Sequence, residues 1–342
     1  MHLPTPRGTT SATVLDALAT PADRNTSHAA LERLAASVAS TDPTSDDFQL
    51  ALWVLYELHY RGFDDVDEAW EWSPALLQVR ARMETVFEGY LRERTRDLVT
   101  AAVEARGDIA TRVTDLLDGV EGPSLARFLQ REATHEQCLE FLVQRSIYHL
   151  KESDPHSWVI PRLSDPVKAR LLELQYDEYG AGRPERLHAT LFADGMAACG
   201  LNAEYGAYLD VVPGYTLAVS NAMSLFGLHR RLRGAAMGHL AAFEATSSLP
   251  CRRYAMGIRR LGLAEQVAEY FDEHVEADAV HEQLALRDIC GQLVEEDPRL
   301  AEDVFFGAAV CGVLDADAAT PMIDAWQRGQ SSLLADLEGA VA

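Results

Sequence analysis

Apolar residues recur three and four positions apart along most of this chain, from about residue 28 to near its end. That period places side chains on one face of an α-helix, whereas a strand would alternate apolar and polar residues. No long stretch of the sequence shows the strand period. The pattern therefore predicts an all-α protein, with helices over residues 28–37, 45–59, 73–98, 109–117, 124–152, 165–179, 184–199, 214–232, 235–246, 251–261, 264–295, 298–315 and 320–338.

Two stretches lack the helical pattern and divide the chain into predicted parts. Residues 1–27 are rich in Thr, Ser, Ala and Pro without apolar periodicity, which is typical of a flexible arm. The run DGVEGPS at residues 118–124 combines two glycines with a proline, which indicates a domain boundary. We therefore expect a smaller N-terminal helical domain over residues 28–117 and a larger helical domain over residues 124–342.

The chain is strongly acidic, with 53 Asp or Glu against 30 Lys or Arg in 342 residues and a formal net charge of −23. Such a surface repels nucleic-acid phosphates and anionic lipids, so we expect neither nucleic acid nor membrane as a partner. The weakly polar stretch 211–228 contains Pro213, Gly214 and Asn221, which favours a buried core helix over a membrane span. The five cysteines are widely spaced and include no CxxC pair, so we expect no disulfides. The N-terminal residues lack the charged, apolar and cleavage-site order of a signal peptide, so we expect a cytoplasmic protein.

Candidate chemistry first appears in the predicted helix 264–295. Its core stripe includes Val267 and Tyr270, and in the middle of the stripe lie His274, Asp278 and His281. Their spacing of i, i+4 and i+7 places the three side chains within roughly 60° of one another around the helix. Burying three polar groups side by side is unfavourable unless one partner satisfies them together, and a metal ion does so. A hydrogen-bonded trio or a solvated face remains the alternative.

Other predicted helices carry a carboxylate or an imidazole on an apolar face. The stripe of helix 165–179 ends at Glu178, whereas Asp177 points elsewhere and is expected to be solvated. His188 leads the apolar face of helix 184–199. Glu152 and Glu244 also fall on apolar faces, although each could be an ordinary exposed glutamate. His149 and His156 compete for a role in the site, and each is equally well explained as a local cap.

Together these residues form an inventory of three carboxylates and three imidazoles, which suits two metal ions: Glu152, Glu178, His188, His274, Asp278 and His281. A ferritin-like bundle would instead use two Glu-x-x-His pairs. The sequence has two such pairs, Glu132 with His135 and Glu185 with His188. That site would leave the trio on the late helix unexplained, so the six-residue inventory is the preferred hypothesis.

The ordered set resembles the haem-oxygenase-like dimetal oxidases, over residues 124–342. Members of that family have a glutamate on the first core helix, then a glutamate or histidine followed by a histidine, and His-x3-Asp-x2-His on a late helix. Glu152, Glu178 and His188 match the first three positions, and the late motif is complete in the trio. The resemblance implies a seven-helix haem-oxygenase-like bundle that holds two iron ions in place of haem.

The resemblance also implies a reaction. Two Fe(II) ions would reduce O2 to a bridging peroxide, with an external reductant where needed, and the peroxide would oxidise a small molecule in natural-product biosynthesis. N-oxygenating members carry an additional carboxylate ligand where Glu244 stands here, so nitrogen of an amine, guanidine or amino-heterocycle is the expected target. A substrate carboxylate would need an arginine, and Arg145, Arg183 and Arg186 lie nearest to the predicted ligands in sequence.

The same family supplies expectations about assembly. Some N-oxygenating members have a helical dimerisation domain before the bundle, so residues 28–117 predict a homodimer. Those members continue into a metal-binding cupin, which this sequence does not contain, so we expect the chemistry of the bundle alone.

Other functions remain open at this point. The closest alternative is oxidative cleavage of C–H bonds in a free amino acid at the same two irons. Metal-free relatives do not need six aligned ligands, and haem binding would need one proximal histidine, for which His135 is the best candidate. A non-catalytic helical binding protein is the remaining class.

Overall fold

The computed structural model describes residues 1–23, 25–335 and 337, including every side chain in those ranges except at 25, 26 and 276–280. Helices joined by loops account for this part of the chain, and no strand occurs in it, which confirms the all-α prediction. The helices are α1 (Thr9–Leu18), α2 (Asn25–Ser37), α3 (Asp46–Glu57), α4 (Pro74–Glu104), α5 (Ile109–Asp118), α6 (Leu125–Arg131), α7 (His135–His149), α8 (Asp154–Ser157), α9 (Asp165–Glu178), α10 (His188–Ala198), α11 (Gly214–Leu228), α12 (Arg233–Leu261), α13 (Glu265–Gln283), α14 (Gln292–Glu296) and α15 (Ala301–Gln327). A π-helical segment, Leu284–Gly291, joins α13 to α14.

Several predicted helix boundaries differ from those in the structure. The predicted helix 124–152 is two helices, because Thr134 starts a new one with a capping box: its hydroxyl accepts from Gln137 N–H and its own N–H donates to Gln137 Oε1. Conversely, α12 continues through Pro250, which lies in the predicted break at 247–250, and α15 continues through the predicted break at 316–319 and through Pro321. A proline removes a single helical hydrogen bond, and extensive packing along a long helix can offset that loss.

The predicted flexible arm contains an ordered helix, which corrects the expectation for residues 1–27. Val14, Leu15 and Leu18 of α1 are buried, and they stand at the i, i+1, i+4 spacing of a helical core face. The start of α1 is fixed to α3 by Asp47, whose carboxylate accepts hydrogen bonds from the backbone N–H of Thr10 and of Ser11. A short helix among Thr and Ser residues had too few apolar positions to stand out in the sequence.

The centre of the molecule is α12, which packs against α13 and α15. Gly238 and Gly307 allow α12 and α15 to approach closely, because a Cβ on either would lie 1.9 Å from a backbone oxygen of the other helix. Within the described chain, Pro298–Gln327 is the helix long and apolar enough to cross a membrane, and 61% of its most apolar window is buried in the core, as in soluble helical proteins.

The N-terminal helices share the same apolar core, because α3 packs against α11 and α4 packs against α15. Buried apolar side chains form a continuous cluster that extends from Val14 to Leu333. The predicted division at residues 118–124 coincides with the connection between α5 and α6, and the two-domain organisation remains a prediction.

Candidate metal centre

Glu178 and His188 are brought together by a sharp reversal of the chain between α9 and α10. Glu178 ends the buried stripe of α9, and His188 is the first residue of α10. Gly180 makes the reversal possible, because its φ is +68° and a Cβ there would lie 2.6 Å from the backbone of Arg186. As a result His188 Nδ1 lies 3.1 Å from Glu178 Oε2, and both side chains are buried.

Glu152 and His274 complete a first group around these two residues. Glu152 lies in the turn that follows α7, and its Oε1 is 3.6 Å from His274 Nε2 on α13. One potential ligand atom from each of Glu152, Glu178, His188 and His274 lies within 4.8 Å of the others. The other ring nitrogen of His274 lies 2.8 Å from the carbonyl oxygen of Tyr270, which directs Nε2 into the group.

A second group is formed by Glu178, Glu244 and His281, again within 4.8 Å of one another. Glu244 extends the buried face of α12, and its Oε2 lies 3.6 Å from His281 Nδ1. Glu178 belongs to both groups, because its Oε1 lies 3.8 Å from His281 Nδ1 while Oε2 faces His188. The two groups are therefore adjacent and share one carboxylate.

The structure thus brings together six of the seven residues predicted as ligands. Asp278, the seventh, lies outside the residues whose side chains are described. Asp177 was expected to be solvated, but its Oδ2 lies 3.2 Å from His281 Nε2, although the carboxylate is 57% exposed. The alternative Glu-x-x-His site is not formed, because Glu132, His135 and Glu185 are all exposed.

The carboxylates of the first group are held in their charged form. Burial by itself raises the pKa of Glu152, but His149 and His274 outweigh it and hold that pKa well below the usual range. Burial likewise opposes ionisation of Glu178, and the adjacent His188 lowers its pKa overall. Buried anions of this kind require cations beside them.

The imidazoles show the complementary effect. Burial lowers the pKa of His274, but Glu152 and Glu178 reverse this and raise it to about 10. Burial also opposes protonation of His281, and Glu244 is the main cause that raises its pKa to about 9. In the metal-free protein, protons on these rings therefore balance the carboxylates, and a metal ion could replace them.

Further observations indicate that the residues fit a metal ion. His188 Nδ1 and His274 Nε2 are buried, and neither makes a well-oriented hydrogen bond to a described residue, although carboxylate oxygens of Glu178 and Glu152 lie 3.1 and 3.6 Å away. A gap of about 10 Å³ lies among Glu152, Glu178, Glu244 and His274, which is room for one small ion or water molecule. Mixed imidazole and carboxylate donors suit iron, manganese or zinc.

Comparison with known proteins decides the family. Residues 139–315, more than half of the chain, match the family model of iron-containing redox enzymes with the haem-oxygenase-like fold. The chain belongs to this family. The chain is also 25% identical over 182 residues to the nitrosourea synthase of Streptomyces achromogenes subsp. streptozoticus. That alignment covers 53% of this chain and 39% of the synthase, so the chain spans about two fifths of that curated relative.

A cavity of about 290 Å³ adjoins the centre of this iron-containing redox enzyme. Glu152 and His274 line this cavity, and so do Arg145, Tyr254 and Asp315. Arg145 donates to Asp315 at 3.0 Å. Apolar side chains supply much of the remaining lining, among them Val219, Phe243 and Phe271. The cavity has the size and mixed lining of a small-molecule site.

The three arginines proposed from the sequence differ in position. Only Arg145 lines this cavity. Arg183 is exposed, and Arg186 is exposed and pairs with Glu273 on α13. Neither Arg183 nor Arg186 lines the described cavity, because the turn that places His188 in the centre leaves both on the surface.

Two residues around Glu152 were not assigned to the site in advance. Tyr270 Oη donates to Glu152 Oε2 at 2.8 Å, and His149 Nδ1 lies 3.1 Å from Glu152 Oε1. The sequence leaves His149 open between a site role and a cap, and it predicts Tyr270 only as part of the core stripe of its helix. The sequence does contain a feature that could have identified Tyr270 as a site residue: it stands one helical turn before His274, on the same face of α13.

Proposed function

We propose that this protein is a non-haem dinuclear-iron oxygenase that uses O2 to oxidise a nitrogen atom of a small amine, guanidine or amino-heterocycle. The observation that carries the proposal is the shared carboxylate of Glu178, whose two oxygens face His188 and His281. A carboxylate in that position can bridge two ions in a helical bundle. Membership of an iron-containing redox family supports iron as the metal.

The two groups provide one ligand set for each ion. In the proposal Glu152, His188 and His274 would hold the first ion, and Glu178 could serve both ions because it belongs to both groups. Glu244 and His281 bind the second ion, and the sequence motif adds Asp278. Four carboxylates would balance the charge of two divalent ions, so metal binding removes the need for protonated imidazoles.

The protein would position and protect the reacting groups. When bound, two ferrous ions supply the electrons that reduce O2 and the oxidising power that acts on substrate. Tyr270, which donates to Oε2, and His149, which lies beside Oε1, hold the Glu152 carboxylate in position. The apolar wall of the cavity keeps bulk water from the bound substrate. Arg145, which lines the cavity, is the candidate partner for a substrate carboxylate.

Nitrogen is the proposed target because of Glu244. The family resemblance associates an extra carboxylate ligand on this helix with N-oxygenation, and Glu244 is buried with its Oε2 3.6 Å from His281. The similarity to a nitrosourea synthase supports the same choice. A role in natural-product biosynthesis, a cytoplasmic location and a homodimer formed through the N-terminal helices belong to the same proposal.

Anaerobic loading with Fe(II), followed by mixing with O2, tests the proposal. The protein should bind two irons per chain, and an absorption band formed with O2 should decay faster with one class among amines, guanidines, amino-heterocycles and amino acids. Mass spectrometry with ¹⁸O2 should then find the label on nitrogen. Label on carbon, or loss of hydrogen from carbon, would establish the C–H alternative, and binding of fewer than two irons would reject the dinuclear centre.

The variant Glu244→Ala tests the argument for nitrogen. It should abolish the N-oxygenated product while the bundle stays folded, because only one ligand of the second ion is removed. Glu269→Ala is the matched control, since Glu269 is exposed on α13 and its loss should leave turnover unchanged. Unimpaired turnover by Glu244→Ala would remove the reason to prefer nitrogen.

A further inference from the structure

Lys151, the residue before Glu152, is one of only two lysines in the chain and is buried with 2% exposure. Its ammonium group donates to Glu57 Oε2 at 3.2 Å, and the Glu57 side chain is completely buried. A lysine side chain usually keeps its charge in water, and burying it requires a compensating partner. The partner here comes from α3, far away in sequence.

Aromatic rings enclose the same ammonium group. Lys151 Nζ lies 4.4 Å from the ring centre of Tyr60, 5.0 Å from Trp53 and 5.7 Å from Tyr205. These distances allow cation–π attraction, which is stronger when the cation is removed from water. Tyr205 Oη also donates to Glu57 Oε2 at 2.6 Å. We call Trp53, Glu57, Tyr60 and Tyr205 the Lys151 cage.

The turn that Lys151 anchors has little regular structure of its own. Helix α7 ends at His149, and the next residues lead to Ser153, whose φ of +67° is unfavourable for a residue with a side chain. Such a conformation persists only where the surroundings determine it. Arg61 supplies a second contact from the N-terminal part, because its guanidinium donates to the Leu150 carbonyl at 3.1 Å.

This turn carries two contacts to the candidate centre. Glu152 faces His274, and the Ser153 hydroxyl donates to Glu178 Oε2 at 3.1 Å. A small shift of the turn would therefore move Glu152 and change the surroundings of Glu178. Ligand positions must be held to within about half an ångström for full metal affinity, and the groups behind a ligand supply that precision.

We infer that Lys151 is a positioning residue: its cage, built largely on α3, fixes the turn that presents Glu152 to the metal centre. The inference rests on the proposed function in that it takes Glu152 as a ligand. A buried ion pair gives little net stability compared with apolar residues of similar size, so stability alone does not account for the pair. The N-terminal helices thereby contribute to metal binding as well as to the shared core.

The test replaces both charges together, in the variant Lys151→Met/Glu57→Gln, so that no unpaired charge is left buried. Titration of the full-length protein with Co(II), followed by its visible absorption, measures the affinity for each of two ions. We expect one ion to bind about 10–100-fold more weakly, as is usual when a group behind a ligand is lost, and the other, which is coupled to it through Glu178, to weaken by a clearly smaller factor. The melting temperature of the metal-free variant should change by only a few degrees.

Lys168→Met is the matched control, because Lys168 pairs with Asp165 at 3.0 Å on the surface, where Asp165 is 96% exposed. It should leave both affinities unchanged. Unchanged Co(II) binding by the double variant would overturn the inference. Equal weakening of both ions together with a large fall in melting temperature would also overturn it, because that result indicates a purely structural role.

Two further variants keep the inference and the proposed function separable. Glu152→Ala should lose the same ion, and if it binds Co(II) like the unmodified protein, then Glu152 is not a ligand and the proposed centre itself fails. If the double variant does not fold, Tyr205→Phe removes only the hydroxyl that donates to Glu57. This variant should bind the same ion several-fold more weakly. An unchanged affinity for that ion would reject the role of the cage.

Discussion

Buried carboxylates and imidazoles alternate around the candidate centre, so that each charged group faces one of opposite sign. Glu178 is the most connected of them, with His188 on one oxygen and His281 on the other. Ser153 donates a further hydrogen bond to it. At the scale of single residues, the metal-free centre is therefore a charge-balanced network. Protons on the histidines supply the positive charge that bound metal ions would otherwise supply.

Replacement of Glu178 by alanine should weaken binding of both ions. The side chain is shared by the two groups, so its loss removes one ligand from each, and we expect at least a tenfold loss of affinity for both in a Co(II) titration. Glu173→Ala on the same helix is the control, since Glu173 is exposed and pairs with Arg170. Retention of one ion at full affinity would assign Glu178 to a single ion.

Metal binding should release protons. The pKa of His274 is about 10 and that of His281 about 9, so both rings are protonated at neutral pH in the metal-free protein and must lose a proton to bind metal. Because the pKa of His188 is raised as well, we expect at least about two protons released at pH 7.5, and an affinity that rises at least about a hundredfold per pH unit below pH 9. Calorimetry in two buffers of different ionisation enthalpy counts these protons, and a count of zero would contradict the charge network.

The same raised pKa values contribute to the pH dependence of the metal-free fold. A histidine whose folded pKa lies above its unfolded value of about 6.5 stabilises the fold fully below that value. This stabilisation is lost as the pH rises through 9 to 10, where His281 and His274 lose their protons.

At the scale of helices, the reversal between α9 and α10 determines where two ligands meet. Glu178 ends one helix and His188 begins the next, so the intervening turn fixes their relative position. The sequence shows a Gly-Ala-Gly break at this point, but it does not show which glycine the geometry requires. In the structure, both Gly180 and Gly182 have positive φ, and only Gly180 is closely surrounded.

Substitution of the two glycines should therefore have unequal effects. Gly180→Ala adds a Cβ 2.6 Å from the Arg186 backbone as well as an unfavourable φ of +68°, so we expect a loss of about 2–4 kcal/mol in the free energy of unfolding and weaker metal binding. Gly182→Ala also places an alanine at a positive φ, +77°, but the added Cβ would have no other atom within 4 Å. It should therefore lower the free energy of unfolding by only about 1 kcal/mol. Urea unfolding compares them, and equal losses would show that strain in φ is the whole effect.

The all-α class and the helix faces that carry the candidate ligands were predictable from the sequence, because both depend on local periodicity. The stripe that ends at Glu178 and the i, i+7 relation of His274 and His281 needed no tertiary information. The contacts of Asp177 and Tyr270 were not predictable in the same way, since each depends on a different helix or turn. The continuation of α12 through Pro250 was missed because packing outweighed a local signal.

At the scale of the whole molecule, the N-terminal helices and the remainder of the chain share one apolar core. The predicted boundary at residues 118–124 rests on a Gly- and Pro-containing break in the helical pattern, and such a break does not show whether the flanking helices pack together. The Lys151 cage could not be foreseen either, since it joins Glu57 to a residue that is distant in the sequence. Long-range pairs of this kind carry no periodic signal.

The sharing of Glu178 has a consequence for how the protein would acquire its metal. Binding of a first ion would fix the orientation of this carboxylate, so a second ion would bind to a ligand already in place. The entropy lost in ordering the Glu178 side chain would then oppose only the first binding step. Binding of the two ions should then be cooperative, and in limiting metal most molecules would carry either none or two. A cell that supplies too little iron would hold a mixture of inert and complete enzyme, with few molecules half assembled.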